Sequence, residues 1–313
     1  MKYAFLMPAY KGRYIKEAIG SILAQRYSDF ALVVSDDCSP EGIQKIAESF
    51  HDSRIVYRRN TENIGAERLA RHWNMLVELC RADYLILAPD DDIYSPDFLE
   101  EIDRLTQKYP HADVLKARAR KVNDDGVVLA EDREYAEVIT QIDNIFHQAC
   151  HDHISGIGNY VFRTEALKSM DGFVDYPFAW WSDVMTNVLL SENGMPCTRD
   201  ILFSMRMSGI SISTRKSSFA EKRKKAEATM MFIDDIGELL KKLQPYAPKD
   251  AWRVDIVNKH LRQWLAYDLQ NSAKAFTISE TRRLMKKYPQ IFSSKRFKMN
   301  FLKQVLSCSL CCH

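Results

Sequence analysis

The first 105 residues predict an α/β fold, a mostly parallel sheet flanked by helices, and the last hundred predict a helical appendage. Three observations lead there. Short apolar runs alternate with stretches of helical spacing, an order that implies parallel strands joined by crossover helices. Acid clusters stand at the ends of two of those runs, where open α/β sheets bind ligands. From about residue 218 onward helical periodicity takes over.

The elements follow in order. Tyr3–Met7 reads as a buried first strand that ends at Pro8-Ala9-Tyr10. Ile15, Ala18, Ile19, Ile22 and Leu23 then recur at helical spacing. Phe30–Ser35 is a second buried strand closed by Asp36-Asp37, and Ser39-Pro40-Glu41 opens the next helix with proline suited to a first turn. Arg54–Tyr57 is a short third strand, Asn60–Gly65 a turn, Ala66–Cys80 a helix and Tyr84–Ala88 the fourth strand. Beyond it the pattern loosens. Ala112–Ala119 reads as a strand, Asp125-Gly126 signals a hairpin, and Ile142–Cys150 reads as a helix. Gly156–Phe162 reads as a strand, Ser182–Leu190 as a helix, and 197–207 as a further strand.

A chain of 313 residues suits one large domain, or one domain with an appendage. Residues 1–213 are expected to form the main domain, in two halves, 1–105 and 106–213. Residues 214–313 form the helical region. No run approaches the ~18 apolar residues of a membrane span, and the apolar run after Lys2 is too short for a signal-peptide core. Seven cysteines, mostly scattered singly, argue for reduced thiols in the cytoplasm. The net charge of +2 hides an asymmetry: 214–313 carries 21 Lys and Arg against 9 Asp and Glu. A basic tail on an acidic body suggests an anionic partner, or simply a solvated basic face. Lys295, Arg296, Lys298 and Lys303 interleave with Phe297, Phe301 and Val305. Such a segment can lie on an anionic membrane surface, but packing against the body or a second subunit is preferred. His147, Cys150, His151 and His153 match no common zinc spacing, and the terminal Cys308, Cys311, Cys312 and His313 lack a second ligand pair.

The chemistry concentrates in Tyr84–Leu99, where Asp90, Asp91 and Asp92 follow a buried strand at once. Three adjacent acids repel one another and lose hydration there, so a cation must offset the cost. Hard oxygen ligands suit Mg²⁺ or Mn²⁺, an ion that usually fills its other positions with water and substrate phosphates. The same residues also read as a solvated loop that caps the next helix. No G-x-G-x-x-G or G-x-x-x-x-G-K loop is present, so a metal ion is the natural means of neutralising a diphosphate.

These residues carry a resemblance. Pro8 and Tyr10, Ser21 and Gln25, Asp36, Asp37 and Ser39, the Asn63-Ile64-Gly65 turn and LAPDDDIYSPDFLE follow one another as in family 2 glycosyltransferases of the GT-A fold, of the bacterial surface-polysaccharide type. The similarity covers roughly the first 210 residues. It implies that Pro8, Ala9 and Tyr10 line a nucleotide pocket, that Asp37 binds base or ribose with Asp36 in support, and that Asp90 sits near ribose or metal. It implies Asp91 as the main metal-contacting carboxylate, with Asp92 sharing the role. Many members have Asp where this chain has Pro89, which leaves open which two of the three form the working pair.

GFVDYPFAWWSDVMTNVLL resembles the family's acceptor-side segment, and the matching acid is Asp183. Sugar transfer with inversion needs a base for the attacking hydroxyl. A carboxylate near Trp180 and Trp181 would be partly desolvated and so a stronger base, and the rings could stack on a sugar. A helix cap beside two core tryptophans accounts for the same residues without chemistry. Gly158 resembles part of the acceptor-proximal wall, and Arg206 or Arg215 could supply a cation to the leaving group. The expected function is an inverting, metal-dependent transfer from a nucleoside-diphosphate sugar to a glycan or lipid-linked glycan. The expected place is the cytoplasm, with peripheral contact at the inner face of the cell membrane through the basic C-terminal helices left open, as is a homo-oligomer. Nucleic acid is not an expected partner. A sugar-nucleotide-binding scaffold and a nucleotidyltransferase are the alternatives. The latter would want a glycine- and arginine-rich loop after the first strand, which Pro8–Arg13 does not provide.

Overall fold

Apolar runs near the N-terminus become inner strands of one ten-stranded sheet. The computed structural model describes residues 1–243 and 250–309. The chain divides into two units, Met1–Asp175 with Ser182–Thr214, and Tyr176–Trp181 with the chain from Arg215 onward.

The first unit runs β1 (Tyr3–Ala9), α1 (Ile15–Leu23), β2 (Phe30–Asp36), α2 (Ile43–Glu48), β3 (Ile55–Arg59), α3 (Leu69–Leu79) and β4 (Tyr84–Leu87). It continues with β5 (Ile93–Tyr94), α4 (Phe98–Lys108), β6 (Val114–Val122), β7 (Val128–Glu131), β8 (Val138–Ile139) and α5 (Gln141–Cys150). β9 (Tyr160–Arg163), α6 (Thr164–Ser169), α7 (Ser182–Leu190) and β10 (Met195–Arg206) complete it. The strand order is β3-β2-β1-β4-β9-β6-β10-β5, with β7 on β6 and β8 on β10.

β1, β2, β3 and β4 pair in parallel, as helical crossovers demand. The sheet then becomes mixed. β9 runs antiparallel to both β4 and β6, while β6 and β10 pair in parallel. The change follows the loss of strand–helix alternation after α4. There the chain turns back through the β6–β7 hairpin, whose Gly126 takes φ +79 in the left-handed region.

The core lies between β1 and its helices. Ile15, Ala18, Ile19 and Ile22 of α1 and Phe98, Leu99, Ile102 and Leu105 of α4 turn one face inward at helical spacing. Tyr94 packs edge-on to Phe5 at 5.1 Å and Phe98 at 4.9 Å. Each such ring contributes about 1.5–3 kcal/mol through burial. β5, β8 and α6 carried no sequence signal, because elements of two to six residues are too short to show a period.

Register brings the strand ends together. Ala9 stands beside Asp36 across β1 and β2, and Leu6 beside Leu87 across β1 and β4. The residues that follow β1, β2 and β4 therefore leave the sheet at one edge.

The second unit contains α8 (Phe219–Lys242), α9 (Ala251–Ser272), α10 (Ile278–Lys287), α11 (Pro289–Phe292) and α12 (Lys295–Ser309). Capping boxes start α8 at Ser218 with Glu221 and α10 at Thr277 with Glu280. Phe301 and Val305 of α12 are buried in a cluster with Leu265, Leu269, Phe276 and Phe292. The basic amphipathic end thus packs its apolar side within its own unit. Among the described residues no helix is long and apolar enough to cross a membrane. Cys311, Cys312, His313 and the side chain of Cys308 lie outside the described residues.

Candidate functional site

β1 delivers Pro8 and Ala9 to the sheet edge and is followed by Tyr10, which is 44% exposed. The next two backbone amides define the place of the first acid. The N–H groups of Tyr10 and Lys11 donate to Asp90 Oδ2 at 3.1 and 3.0 Å. Asp90 Oδ1 instead faces Lys11 Nζ at 3.8 Å, and Asp91 Oδ2 lies 3.6 Å from the same ammonium. Burial pushes the Asp90 carboxyl upward, the Lys11 charge opposes this, and Asp91 adds to it.

The three acids differ in how far they are tied down. Asp92 Oδ1 accepts the backbone N–H of Arg206 at 2.7 Å. Burial and the neighbouring Asp91 charge raise its carboxyl well above the ordinary range. Asp91 Oδ2 is buried and accepts no hydrogen bond. A hard oxygen without a donor, in a cluster that repels itself, suits a divalent cation. Among the described residues no group of three or more His, Cys, Asp or Glu side chains is placed to hold a metal ion. An ion held here would take its remaining ligands from water and substrate phosphates.

At the end of β2 the acids organise loops. Asp36 accepts from Ser39 N–H at 2.7 Å, from Tyr57 Oη–H at 2.7 Å and from Arg59. Asp37 Oδ1 accepts from Asn60 Nδ2 and the Ile64 N–H, both at 2.9 Å, and its Oδ2 from the Gly65 N–H at 3.1 Å. Gly65 aims that amide from φ +81, which favours glycine. The Asn63-Ile64-Gly65 turn is thereby closed onto Asp37.

Arg206 is brought to the acidic loop but faces inward. Its Nε donates to the Asp91 carbonyl at 3.0 Å, Nη1 to the Asp124 carbonyl at 3.0 Å, and Nη2 to Glu17 at 2.6 Å. Its guanidinium also lies 4.4 Å from the Tyr14 ring centre. These partners leave it as a brace for the loop. Arg215 pairs with Glu221 at 2.6 Å in the second unit.

Asp183 lies in the first turn of α7, where helix amides favour a carboxylate. Desolvation pushes its carboxyl up to about 6, partly opposed by the Val184 amide. Gly158 is buried beneath the same loop that carries the acids. A Cβ there would meet Pro89 Cδ and Phe203 Cζ at 2.7 Å, and its carbonyl accepts from Tyr94 Oη–H at 2.9 Å.

Trp180 and Trp181 belong to the second unit and pack there. Trp181 stacks on Phe232 at 4.7 Å and donates from Nε1 to Thr229 at 3.0 Å. Lys225 Nζ sits 4.5 Å over the Trp180 ring. The turn just before Asp183 holds Phe178, Ala179 and Trp181 at positive φ of 61, 51 and 71. Non-glycine residues so held are costly, and the cost recurs at working sites. His147 Nδ1 lies 3.1 Å from Asp152 and His153 Nδ1 the same distance from the His147 carbonyl.

Sequence reading missed Lys11 and Glu17. Lys11 carries a usable signal, being a cation next to the strand end that must face the acids. Glu17 carries none, since it meets Arg206 only through the fold.

The glycosyl transferase family 2 model matches residues 4–170. The poly(ribitol-phosphate) β-N-acetylglucosaminyltransferase TarS of Staphylococcus aureus is 25% identical over 175 residues, 55% of this chain and 29% of that protein. The chain thus spans less than a third of that relative's length. A crystal structure of TarS 1–349 in complex with UDP-GlcNAc superposes with TM-score 0.61 at 18% identity, over 97% of this chain and 89% of that one. The mannosyltransferase PcManGT of Pyrobaculum calidifontis, in complex with GDP-Man and Mn²⁺, gives 0.55 at 13% identity, over 99% and 86%. The fold is that of the GT-A glycosyltransferases.

Proposed function

The chain belongs to glycosyl transferase family 2, and from that premise we propose that it transfers a sugar, with inversion, from a nucleoside-diphosphate sugar to an acceptor hydroxyl. The observation that carries this reading is the buried Asp91 Oδ2, left without a donor beside Asp90 at the shared edge of β1, β2 and β4.

In this reading Pro8, Ala9 and Tyr10 line the nucleotide pocket, and Asp37 holds the Asn63–Gly65 turn against it. Asp91, with Asp90 beside it, would hold a divalent ion, which when bound supplies positive charge to the leaving diphosphate. Asp92 contributes by fixing the loop through Arg206. That pairing is preferred to Asp91 with Asp92 because one cation, Lys11 Nζ, already faces Asp90 Oδ1 and Asp91 Oδ2 together, whereas Asp90 and Asp92 each have their other, hydrogen-bonded oxygen turned to backbone amides. Asp183 takes the proton of the attacking hydroxyl, its raised carboxyl making it a stronger base than a solvated aspartate. The hydroxyl oxygen forms the new bond to the anomeric carbon as the bond to the diphosphate breaks, so a single displacement inverts the centre.

The names of relatives extend the proposal. TarS is named for N-acetylglucosaminyl transfer to poly(ribitol-phosphate), which makes UDP-GlcNAc the first donor to try and a surface glycan or polyol-phosphate polymer the acceptor class. The exposed cations of α12, Lys295, Arg296, Lys298 and Lys303, would favour an anionic surface nearby.

The test is thermal unfolding with UDP-, GDP- and dTDP-sugars, with and without Mn²⁺. A ligand at 100 times its Kd adds about 2.7 kcal/mol of stability. A metal-dependent rise in Tm with one nucleotide is expected. No rise with any of them, metal present, would remove the donor site.

A further inference from the structure

Three acids stand in sequence at a strand end, each at most 7% exposed. Such a cluster is stable only with a compensating cation. Arg206 compensates from behind, through Asp91's carbonyl and Asp92's carboxylate by way of its backbone amide. On the open side the cation is Lys11. Its ammonium lies between the two carboxylates, 3.8 Å from Asp90 Oδ1 and 3.6 Å from Asp91 Oδ2.

Those distances have a meaning. They are ion-pair separations, longer than hydrogen bonds, so charge alone holds the ammonium there. Its side chain is more exposed, at 30%, than the buried side chains of Asp90 and Asp91, so its outer side meets solvent. The root is fixed, because the Lys11 N–H donates to Asp90 Oδ2 at 3.0 Å. A fixed root with a flexible four-carbon stem lets the head move while the backbone stays.

The atom that Lys11 covers is the hydrogen-bond orphan Asp91 Oδ2. A divalent ion on that oxygen would meet the ammonium at a separation where two positive charges repel strongly at low dielectric. The two cannot share the place.

We propose that Lys11 is a tethered counter-cation, which neutralises Asp90 and Asp91 when no divalent ion is bound and moves onto the donor diphosphate when one is. This rests on the nucleoside-diphosphate-sugar reading for its second half only. The first half concerns the protein and the metal alone. Lys11 thus competes with the ion before the donor arrives and assists it afterward. The consequence is ordered binding: diphosphate draws the ammonium away and opens Asp91 to the ion.

The experiment uses the full chain without donor. Mn²⁺ is titrated and the free ion followed by electron paramagnetic resonance, for the wild type, Lys11→Met, Lys11→Gln and Lys11→Arg. Both neutral variants should bind Mn²⁺ about tenfold more tightly, and Lys11→Arg should match the wild type. Unchanged or weaker Mn²⁺ binding in both neutral variants overturns the proposal, and so does binding too weak to measure in all four. UDP is then titrated calorimetrically in EDTA. Retained binding in the wild type and about tenfold weaker binding in Lys11→Met are expected, and equal UDP affinity overturns the second half. UDP binding by none of the proteins, with or without Mn²⁺, overturns the donor reading and leaves the Mn²⁺ titration to decide Lys11.

Discussion

Arg206 ties its own backbone to Asp92 at 2.7 Å, while its side chain, 1% exposed, ties the preceding carbonyl of Asp91 at 3.0 Å. One residue on β10 thus holds two consecutive residues of the acidic loop. The guanidinium fork makes this work, since it reaches Glu17 and Asp124 with its remaining nitrogens.

Arg206→Met therefore loses the brace and leaves the Asp91 and Asp124 carbonyls without their donor. Because Glu17 is 55% exposed, water recovers part of that loss. The expected destabilisation is about 2 kcal/mol, read from urea unfolding. Arg206→Lys keeps the charge without the fork and should recover less than half of it. A backbone amide survives either change, so Asp92 should stay in place and nucleotide binding should weaken less than tenfold. Loss of nucleotide binding with stability intact would mean that Arg206 contacts the donor after all.

Asp183 predicts two pH effects with opposite demands. As a base it must be ionised, so kcat/KM should fall tenfold per pH unit below about 6. For stability the sign runs the other way. The folded carboxyl is raised from 3.8 to about 6, so the stabilisation it gives is whole below 3.8 and lost as pH rises through 6. At pH 8 the ionised group costs the fold up to roughly 3 kcal/mol. Asp183→Asn removes that cost. It should be more stable than the wild type at pH 8, equal to it near pH 4, keep donor affinity, and lose transfer by at least about a hundredfold. Unchanged turnover would take Asp183 out of the mechanism.

The difference between what the sequence reveals and what it conceals follows from range. Continuous apolar runs revealed β1 and β4, which are buried on both faces, and β2, which is buried on one face and partly covered on the other. Ser182–Leu190 was legible as α7 to the residue. The acids at strand ends were legible too, since topology puts those ends at one edge. Their partners were not. Arg206 reads as a cation for a leaving group, and its ion pair with Glu17, 189 positions away, has no trace in the local pattern. Trp180 and Trp181 read as a sugar platform, and the local pattern did not show that Trp181 stacks on Phe232 or that Lys225 lies over the Trp180 ring. Only pairing and packing, not local pattern, carry that information.

The buried pair Lys116–Asp132 gives the last prediction. Lys116 on β6 is 1% exposed and Asp132 0%, with 3.3 Å between Nζ and Oδ2. Burial lowers the Lys116 ammonium from its usual range and the Asp132 charge pulls it back. Asp132 also accepts the Ile154 N–H at 2.9 Å and the Tyr135 hydroxyl, so it pins the segment leading to Gly156 and Gly158 onto β6. Lys116→Met leaves that carboxylate without its cation in a dry interior, and should cost about 3–5 kcal/mol. Lys116→Met with Asp132→Asn removes both charges while keeping an acceptor for Ile154. The double variant should recover more than half of the loss in urea unfolding, because a neutral pair avoids the desolvation that the ion pair only offsets. If the two losses simply add, the pair is held by its hydrogen bonds rather than by its charges, and Asp132 acts as the anchor of the Ile154 segment alone.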